Sequence, residues 1–173
     1  MRYRLSDIAK ICGGRVIGED LFVERVSTDS RSSDGGGDVL FVAIKGQNHD
    51  SHDFVEQMYS RKVRAFMLER ELPLFDGCGA VVVENSIRSL QLVAADYRSK
   101  FDGEGVAIAG SNGKTVVKEW LAQALPTSLR VFRSPKSYNS QLGVAISLLM
   151  ARGDEDIWLI EAGISRPSEM ERL

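Results

Sequence analysis

Residues 106–119 read VAIAGSNGKTVVKE, and this stretch organises the interpretation of the whole sequence. The apolar residues 106–109 predict a buried strand, residues 110–113 predict a turn, and helical spacing begins at Lys114. One face of this helix is predicted to carry Val117, Trp120, Leu121 and Ala124. A strand, a glycine turn and a helix N-terminus form a phosphate cradle, because small residues let backbone N–H groups approach an anion and the helix dipole attracts it. The stretch therefore predicts nucleotide binding.

The loop has the shortened form Gly-x-x-Gly-Lys-Thr, since Ile108 stands where the full phosphate-loop pattern has its first glycine. A glycine-rich turn with an exposed lysine is the alternative interpretation. The flanking strand and amphipathic helix favour the nucleotide interpretation. Lys114 would then place a positive charge at the β- and γ-phosphates, and the Thr115 hydroxyl could ligate Mg²⁺.

The composition is that of an ordinary globular protein. The 173 residues include 43% hydrophobic and 27% charged residues, with a net charge of −2. No basic stripe alternates with aromatic residues, which argues against a nucleic-acid partner. The N-terminus lacks the apolar segment of a signal peptide and no run reaches membrane-spanning length, so no membrane insertion is expected. Cys12 and Cys78 are far apart and are expected to be buried free thiols in a reducing cytoplasm.

Strands alternate with helices along the chain, which predicts an α/β fold with a doubly wound parallel sheet and a ligand at the carboxyl ends of its strands. Residues 1–84 are expected to form a small α/β domain without a phosphate loop, whose first helix is capped by Ser6. Residues 85–173 are expected to begin a P-loop domain. Ser168 and Glu171 have capping-box spacing, so a further helix would start there. We therefore expect an incomplete second domain, and an N-terminal piece of a longer protein.

Two further stretches of the second domain carry candidate site residues. Glu161 ends an apolar strand, where it is either a metal-holding carboxylate beside the phosphate loop or a solvated strand-end residue. Residues 134–140 form either a plain polar loop with a helix cap or a loop that places Lys136 and Asn139 over bound phosphates.

The first domain carries two polar clusters. His49 and His52 lie beside aspartates and could contact a polar ligand, cap a helix or bind a metal, although no further cluster completes a metal-ligand set. Residues 29–31, Asp-Ser-Arg, are either a turn with a local ion pair or part of a binding site.

These motifs, taken in order, resemble those of the Mur ligases. Residues 110–115, the pair Tyr138-Asn139 and residues 161–163 resemble the ATP-binding part of that family. Residues 28–31, 40–46 and 50–54 resemble its N-terminal UDP-binding domain, although Ser51 stands where glycine is usual. Within the family the similarity is greatest to the MurF type, which adds D-alanyl-D-alanine to UDP-N-acetylmuramoyl-tripeptide.

The similarity extends to the form of this ligase that is fused to an alanine racemase, through residues 117–120, 133–141 and 161–165. No racemase segment is present in the sequence. Pyridoxal phosphate is therefore implied only for a longer, racemase-fused parent.

The resemblance implies specific roles for individual residues. Lys114 and Glu161 would be catalytic, Thr115 and Glu161 would hold Mg²⁺, and Asn139 would lie near the junction of phosphate and substrate. The residues implied to hold the ATP phosphates are Gly110, Ser111, Asn112, Gly113, Lys114, Thr115 and Val116. Those implied to hold the uridine diphosphate are Thr28, Ser30, Arg31, Gln47, Asn48 and His49.

The implied reaction is ATP-dependent amide-bond formation in peptidoglycan precursor synthesis through an acyl phosphate. A carboxylate must approach the γ-phosphate, and two unit negative charges about 4 Å apart repel by about 4 kcal/mol at an effective dielectric constant of 20, which Lys114 and Mg²⁺ would offset. Groups that bind adenine and D-alanyl-D-alanine are expected beyond Leu173, so the chain alone is expected to be inactive. The alternatives are a sister Mur ligase that adds a different amino acid, a non-catalytic module that binds a nucleotide or UDP ligand, and an unrelated P-loop NTPase.

Overall fold

The computed structural model describes residues 1–31, 35–46, 49–135 and 138–163. The chain divides into two compact units, Met1–Val93 and Ala94–Leu173, and the division falls inside one helix, Ser86–Ser99. Each unit is described by itself below. No helix in the described ranges is both long enough and apolar enough to cross a membrane.

The first unit is built around a five-stranded sheet, whose strands lie in the order Arg15–Gly18 (β2), Gly79–Val82 (β7), Ala65–Leu68 (β6), Val39–Val42 (β5) and Arg25–Ser27 (β4). Strands β4 to β7 run parallel, whereas β2 pairs antiparallel with β7. Tyr3–Arg4 (β1) and Phe22–Val23 (β3) form a separate antiparallel pair. The elements are β1 (Tyr3–Arg4), α1 (Leu5–Cys12), β2 (Arg15–Gly18), β3 (Phe22–Val23), β4 (Arg25–Ser27), β5 (Val39–Val42), a 3₁₀ turn (Ser51–Phe54), α2 (Val55–Ser60), β6 (Ala65–Leu68), β7 (Gly79–Val82) and the start of α3 (Ser86–Ser99).

The core of the first unit lies along β5 and β6, whose residues are all buried. Both strands are continuous apolar runs, as expected for parallel strands covered on both faces. Phe41 and Phe66 meet edge to face with their ring centroids 6.5 Å apart, and Met58 of α2 is buried in the same cluster. The apolar sequence pattern thus predicts the centre of this unit correctly.

Helix α1 begins at Leu5 with Arg4 as its N-cap, so the prediction that Ser6 is the cap is wrong. The cause is Asp20, whose carboxylate accepts hydrogen bonds from the backbone N–H and the hydroxyl of Ser6, both at 2.9 Å. The Asp7 carboxylate in turn accepts from the Arg4 N–H at 3.4 Å. A carboxylate distant in sequence has engaged the hydroxyl that would otherwise cap the helix.

The second unit contains a three-stranded parallel sheet, whose strands lie in the order Glu104–Ala109 (β8), Ile157–Ala162 (β10) and Val131–Arg133 (β9). Trp158, on the central strand, is fully buried and stacks on Phe101 at 3.9 Å between ring centroids, with Tyr97 at 5.8 Å and Phe132 edge-on at 6.4 Å. The elements that follow α3 are β8 (Glu104–Ala109), α4 (Lys114–Ala124), β9 (Val131–Arg133), α5 (Gln141–Met150) and β10 (Ile157–Ala162). The predicted α/β fold with parallel sheets is confirmed.

The predicted burial of β8 is wrong, although the strand forms. Ile108 is buried in β8, whereas the other residues of that strand are exposed, since β8 is an edge strand among the described residues. On α4, Val117 and Trp120 are 50% and 68% exposed, and Lys118 is fully buried. Apolar spacing predicts which residues share a helix face, but here a polar network decides which side of α4 is covered.

Candidate phosphate-binding site

The phosphate loop connects the end of β8 at Ala109 to the start of α4 at Lys114. Gly113 is the N-cap of α4 and has φ = 75°, a left-handed conformation that favours glycine. No side chain caps the helix, and residues 110–113 are exposed. Because the first N–H groups of a helix have no acceptors within it, this geometry offers an open set of donors to an anion.

Lys114 lies over this loop and donates a hydrogen bond from Nζ to the carbonyl oxygen of Gly110 at 2.9 Å. The ammonium group therefore adds its charge to the positive end of the helix dipole. The combination is suited to the terminal phosphates of a nucleotide.

Glu161 is a buried carboxylate near the end of β10, with 1% of the residue exposed. Its Oε2 accepts a hydrogen bond from the Thr115 hydroxyl at 2.8 Å, and its Oε1 accepts from the Asn139 amide at 2.8 Å. Lys118 Nζ lies 3.6 Å from Oε2. Burial raises the pKa of Glu161, but the hydrogen bonds from Thr115 and Asn139 and the nearby positive charge together lower the pKa below its usual value. The carboxylate is therefore ionised at neutral pH.

The parallel direction of the strands brings these residues to one edge of the sheet, because the carboxyl ends of β8, β9 and β10 all lie there. Ser134, directly after β9, donates its N–H to the Leu159 carbonyl at 2.9 Å, and its hydroxyl accepts from the Glu161 N–H at 3.1 Å. The Asn139 carbonyl accepts from the Gly163 N–H at 2.8 Å. The loop after β9 is thus fixed to the end of the central strand beside the phosphate loop.

A side chain at Gly163 would disturb this arrangement. A Cβ atom there would lie 2.9 Å from Cγ of Asn139, closer than such contacts are found. The glycine therefore allows the Asn139 side chain to reach Glu161.

The Thr115 hydroxyl and the Glu161 carboxylate fit a magnesium ion that arrives with a nucleotide. Both are hard oxygen donors, and Mg²⁺ is usually held by one or two protein ligands together with substrate phosphates and water. Across the described ranges, no group of three or more histidine, cysteine, aspartate or glutamate side chains is placed to hold a metal ion. These two residues would thus supply part of a coordination shell, which phosphate oxygens and water would complete.

Of the residues predicted to contact uridine diphosphate, Thr28, Ser30 and Arg31 follow β4 in the first unit. The Ser30 carbonyl accepts a hydrogen bond from Arg61 Nη1 at 2.7 Å. Arg31 forms the local ion pair with Asp29 that the sequence left open, with Nε 3.0 Å from Oδ1. The side-chain hydrogen bond from Arg31 lowers the pKa of the Asp29 carboxyl.

The remaining predicted contacts are on the next loop. His49 is exposed, and its carbonyl accepts from the Gly46 N–H at 2.8 Å. Gln47 and Asn48, and Lys136 of the second unit, lie outside the described residues.

His52 is a buried structural residue, which the sequence interpretation missed. Its Nε2 accepts a hydrogen bond from the Glu69 N–H at 2.9 Å, so the ring proton is on Nδ1 and is donated to the Asp50 carboxylate. Glu69 in turn accepts from the Ser86 N–H at 2.8 Å, and Asp50 accepts from Arg70 at 2.6 Å. In the sequence, the signal for this network is the spacing of Asp50 and His52, two residues apart. Asp50 also caps the 3₁₀ turn, and neither histidine does.

Asp50 is expected to make the stability of the first unit depend on pH. Arg70, and to a smaller degree His52, hold the pKa of Asp50 well below its usual value, despite the opposing effect of burial. The unfolded chain therefore takes up this proton first, so the stabilisation is complete above the ordinary aspartate pKa of about 4 and is lost as pH falls further. Asp50→Asn should lower the free energy of unfolding at pH 7 by about 1–2 kcal/mol and flatten its decrease below pH 5.

Urea denaturation of the first unit at a series of pH values measures both effects. The matched control is Asp53→Asn, an exposed carboxylate of the same turn that lies 3.7 Å from Arg70. Asp53→Asn should change the free energy of unfolding by no more than about 0.5 kcal/mol. If the free energy of unfolding depended on pH in the same way in wild type and Asp50→Asn, Asp50 would not be the source of the pH dependence.

The fold and this site define an α/β protein in which a glycine loop and a helix N-terminus lie at the carboxyl edge of a parallel sheet. Residues 108–173 match the family model described as the Mur ligase middle domain.

Several known proteins of one type are similar to this chain. It is 30% identical over 156 residues to the UDP-N-acetylmuramoyl-tripeptide--D-alanyl-D-alanine ligase of Bacillus subtilis. The aligned region covers 90% of this chain and 34% of that protein. A crystal structure of MurF from Acinetobacter baumannii matches with a TM-score of 0.88 and 26% identity, over 99% of this chain and 38% of the other. MurF from Thermotoga maritima in complex with ADP matches with a TM-score of 0.74 and 31% identity, over 87% and 34%. The chain thus spans about a third of the length of the curated relatives that it matches.

Proposed function

We propose that this chain is the part of a MurF-type ligase that holds ATP and the UDP-linked acceptor. The parent enzyme joins D-alanyl-D-alanine to UDP-N-acetylmuramoyl-tripeptide in peptidoglycan precursor synthesis, and is expected in the cytoplasm. The observation that carries the proposal is the 2.8 Å contact between Thr115 and Glu161, which lies beside an open phosphate loop at the carboxyl edge of a parallel sheet. The similarity to ligases of this type supports the choice of substrates.

In this proposal the backbone of residues 110–116 binds the phosphates of ATP, and Lys114 neutralises charge on the β- and γ-phosphates. Thr115 and Glu161 hold Mg²⁺, which when bound withdraws negative charge from the phosphate oxygens. Asn139 orients the Glu161 carboxylate through its amide hydrogen bond. In the first unit, the residues proposed to hold the uridine diphosphate are Thr28, Ser30, Arg31, Gln47, Asn48 and His49.

The proposed reaction has two steps. The terminal carboxylate of the acceptor peptide attacks the γ-phosphorus, which breaks the bond to the β-phosphate oxygen and yields an acyl phosphate and ADP. The amine of D-alanyl-D-alanine then attacks the acyl carbon, releasing inorganic phosphate as the amide forms. The contribution of this chain is to position the phosphates and to offset the repulsion between two anions, which is the usual basis of phosphoryl-transfer catalysis.

Calorimetry on Lys114→Ala tests the proposal. The probes are Mg·ATP and Mg·tripolyphosphate, since the second engages the cradle without adenine. Loss of one charge-assisted contact should weaken binding of both probes about 10- to 100-fold, because such a contact contributes about 1.5–3 kcal/mol. Binding of UDP-N-acetylmuramoyl-tripeptide should not change.

The control is Lys100→Ala, which removes an exposed lysine of the same unit that pairs with Asp96 at 2.6 Å. It should bind both probes as wild type does. Wild type that binds neither phosphate probe would contradict ATP binding and favour a module for the UDP ligand alone. A chain that binds nucleotide and no UDP ligand would favour an unrelated P-loop protein. ATP-dependent phosphate release by the chain alone, given both substrates, would overturn its expected inactivity.

A further inference from the structure

Lys118 is a fully buried lysine one helical turn beyond Lys114, and the function described so far gives it no role. Its Nζ donates to the Ser134 carbonyl at 2.6 Å and lies 3.6 Å from Oε2 of Glu161. Burial of an ammonium group is costly unless hydrogen bonds and opposite charge compensate it. Because the Lys118 ammonium is held in place and shielded from water, its positive charge is poorly screened at the neighbouring Glu161 carboxylate.

The second carboxylate near Lys118 is already paired elsewhere. Glu119 Oε1 lies 3.7 Å from Lys118, but its Oε2 accepts from Arg133 Nη1 at 2.6 Å. Glu161 is the acidic partner of Lys118 at the phosphate edge, and Lys114 adds a further positive charge at the loop. Each of the two ion pairs, Lys118 with Glu161 and Arg133 with Glu119, is neutral as a whole. The charge of Lys114 therefore leaves the cradle with an excess of positive charge before any phosphate is bound.

This balance bears directly on the proposed cation site. Glu161 Oε2, which accepts from Thr115, is also the oxygen nearest to Lys118. A divalent cation on that oxygen would lie a few ångströms from a buried ammonium, where repulsion is weakly screened. The negative charge of a triphosphate would remove this obstacle. An anion alone meets no such repulsion.

We propose that Lys118 is a positioning residue that prevents Thr115 and Glu161 from holding a divalent cation until nucleotide phosphates are present. This inference rests on the proposed function, since it concerns the cation site of the same cradle. Lys118 holds the Glu161 carboxylate and the Ser134 carbonyl in place, and its charge makes cation binding conditional on phosphate. The metal then enters together with the nucleotide and is not stored beforehand.

Binding of Mn²⁺ to the chain, followed by electron paramagnetic resonance without nucleotide, is the test. Lys118→Met keeps the length of the buried side chain and removes its charge, and Lys118→Gln keeps a donor toward Ser134. Both variants should bind Mn²⁺ about tenfold or more tightly than wild type, because a unit charge a few ångströms away changes affinity by at least that factor even at an effective dielectric constant of 20. The gain should disappear when Glu161→Gln is added.

Lys100→Met, an exposed lysine in the same unit, is the control and should leave Mn²⁺ affinity unchanged. Circular dichroism and thermal melting establish which variants fold. Unchanged or weaker Mn²⁺ binding in a folded Lys118 variant would overturn the proposal, because a purely structural lysine would alter stability alone.

Wild type provides a test that needs no variant. Its Mn²⁺ affinity should rise about tenfold or more when tripolyphosphate is added. Tight Mn²⁺ binding without phosphate would overturn the inference and leave the proposed function intact. Absence of any phosphate binding would instead remove the proposed function.

Discussion

Replacement of Glu161 by alanine is expected to destabilise the second unit by about 3 kcal/mol, because it leaves the Lys118 ammonium buried without its nearest acidic partner. The Thr115 hydroxyl and the Asn139 amide lose their acceptor in the same change. Because the Ser134 carbonyl still accepts a hydrogen bond from Lys118, the loss of stability should lie at the low end of the range found when a buried ion pair is broken. Urea denaturation of the variant followed by circular dichroism measures this loss.

A double-mutant cycle separates the charge from the packing. Addition of Lys118→Met to Glu161→Ala removes the buried ammonium that has lost the Glu161 carboxylate, so the double variant should recover about half of the lost stability. Glu161→Gln is the conservative control, since its amide oxygen can still accept the Thr115 hydrogen bond, and it should cost less than Glu161→Ala. Strictly additive effects of the two substitutions would show that the pair does not couple.

Replacement of Trp158 by alanine is expected to destabilise the second unit by about 4 kcal/mol, the cost of removing a large buried aromatic side chain and leaving a cavity. Trp158 is fully buried on the central strand β10 and stacks on Phe101 and Tyr97. Its Nε1–H also donates to the Glu155 carboxylate at 3.0 Å. Loss of this residue removes contacts between the strand and the segments that cover it.

The other tryptophan of the chain is a natural control. Trp120 is 68% exposed on α4, and Trp120→Ala should change the free energy of unfolding by no more than about 0.5 kcal/mol. Trp158→Phe keeps an aromatic ring and should cost about 1–2 kcal/mol. Denaturation by urea, monitored by circular dichroism, compares all three variants. Similar costs for the two alanine substitutions would contradict the assignment of the core.

The sequence contained enough information to predict the fold class and the elements of the phosphate loop. Glycine at position 113 has the positive φ that the loop requires, and Lys114 begins the helix as predicted. The apolar runs of β5 and β10 became buried strands. These features depend on local chemistry along a few consecutive residues, which a sequence displays directly.

The residues that sequence reasoning missed depend on partners far away in the chain. Lys118 looks like an exposed helical lysine until Ser134 and Glu161 are placed next to it. His52 becomes a core residue because Glu69 and Asp50 supply its two hydrogen bonds. Likewise, the Ser6 hydroxyl donates to the distant Asp20 carboxylate and does not cap the helix. In each case a long-range contact outweighed the local preference, and periodicity carries no information about such contacts.

The hydrogen bond from Lys114 to the Gly110 carbonyl has a consequence for ligand entry. This bond holds the Lys114 ammonium beside the cradle, so a triphosphate that binds there would exchange one internal hydrogen bond for its own. Because this side chain is already positioned, phosphate binding would cost little of its conformational entropy. More of the interaction free energy would then contribute to affinity.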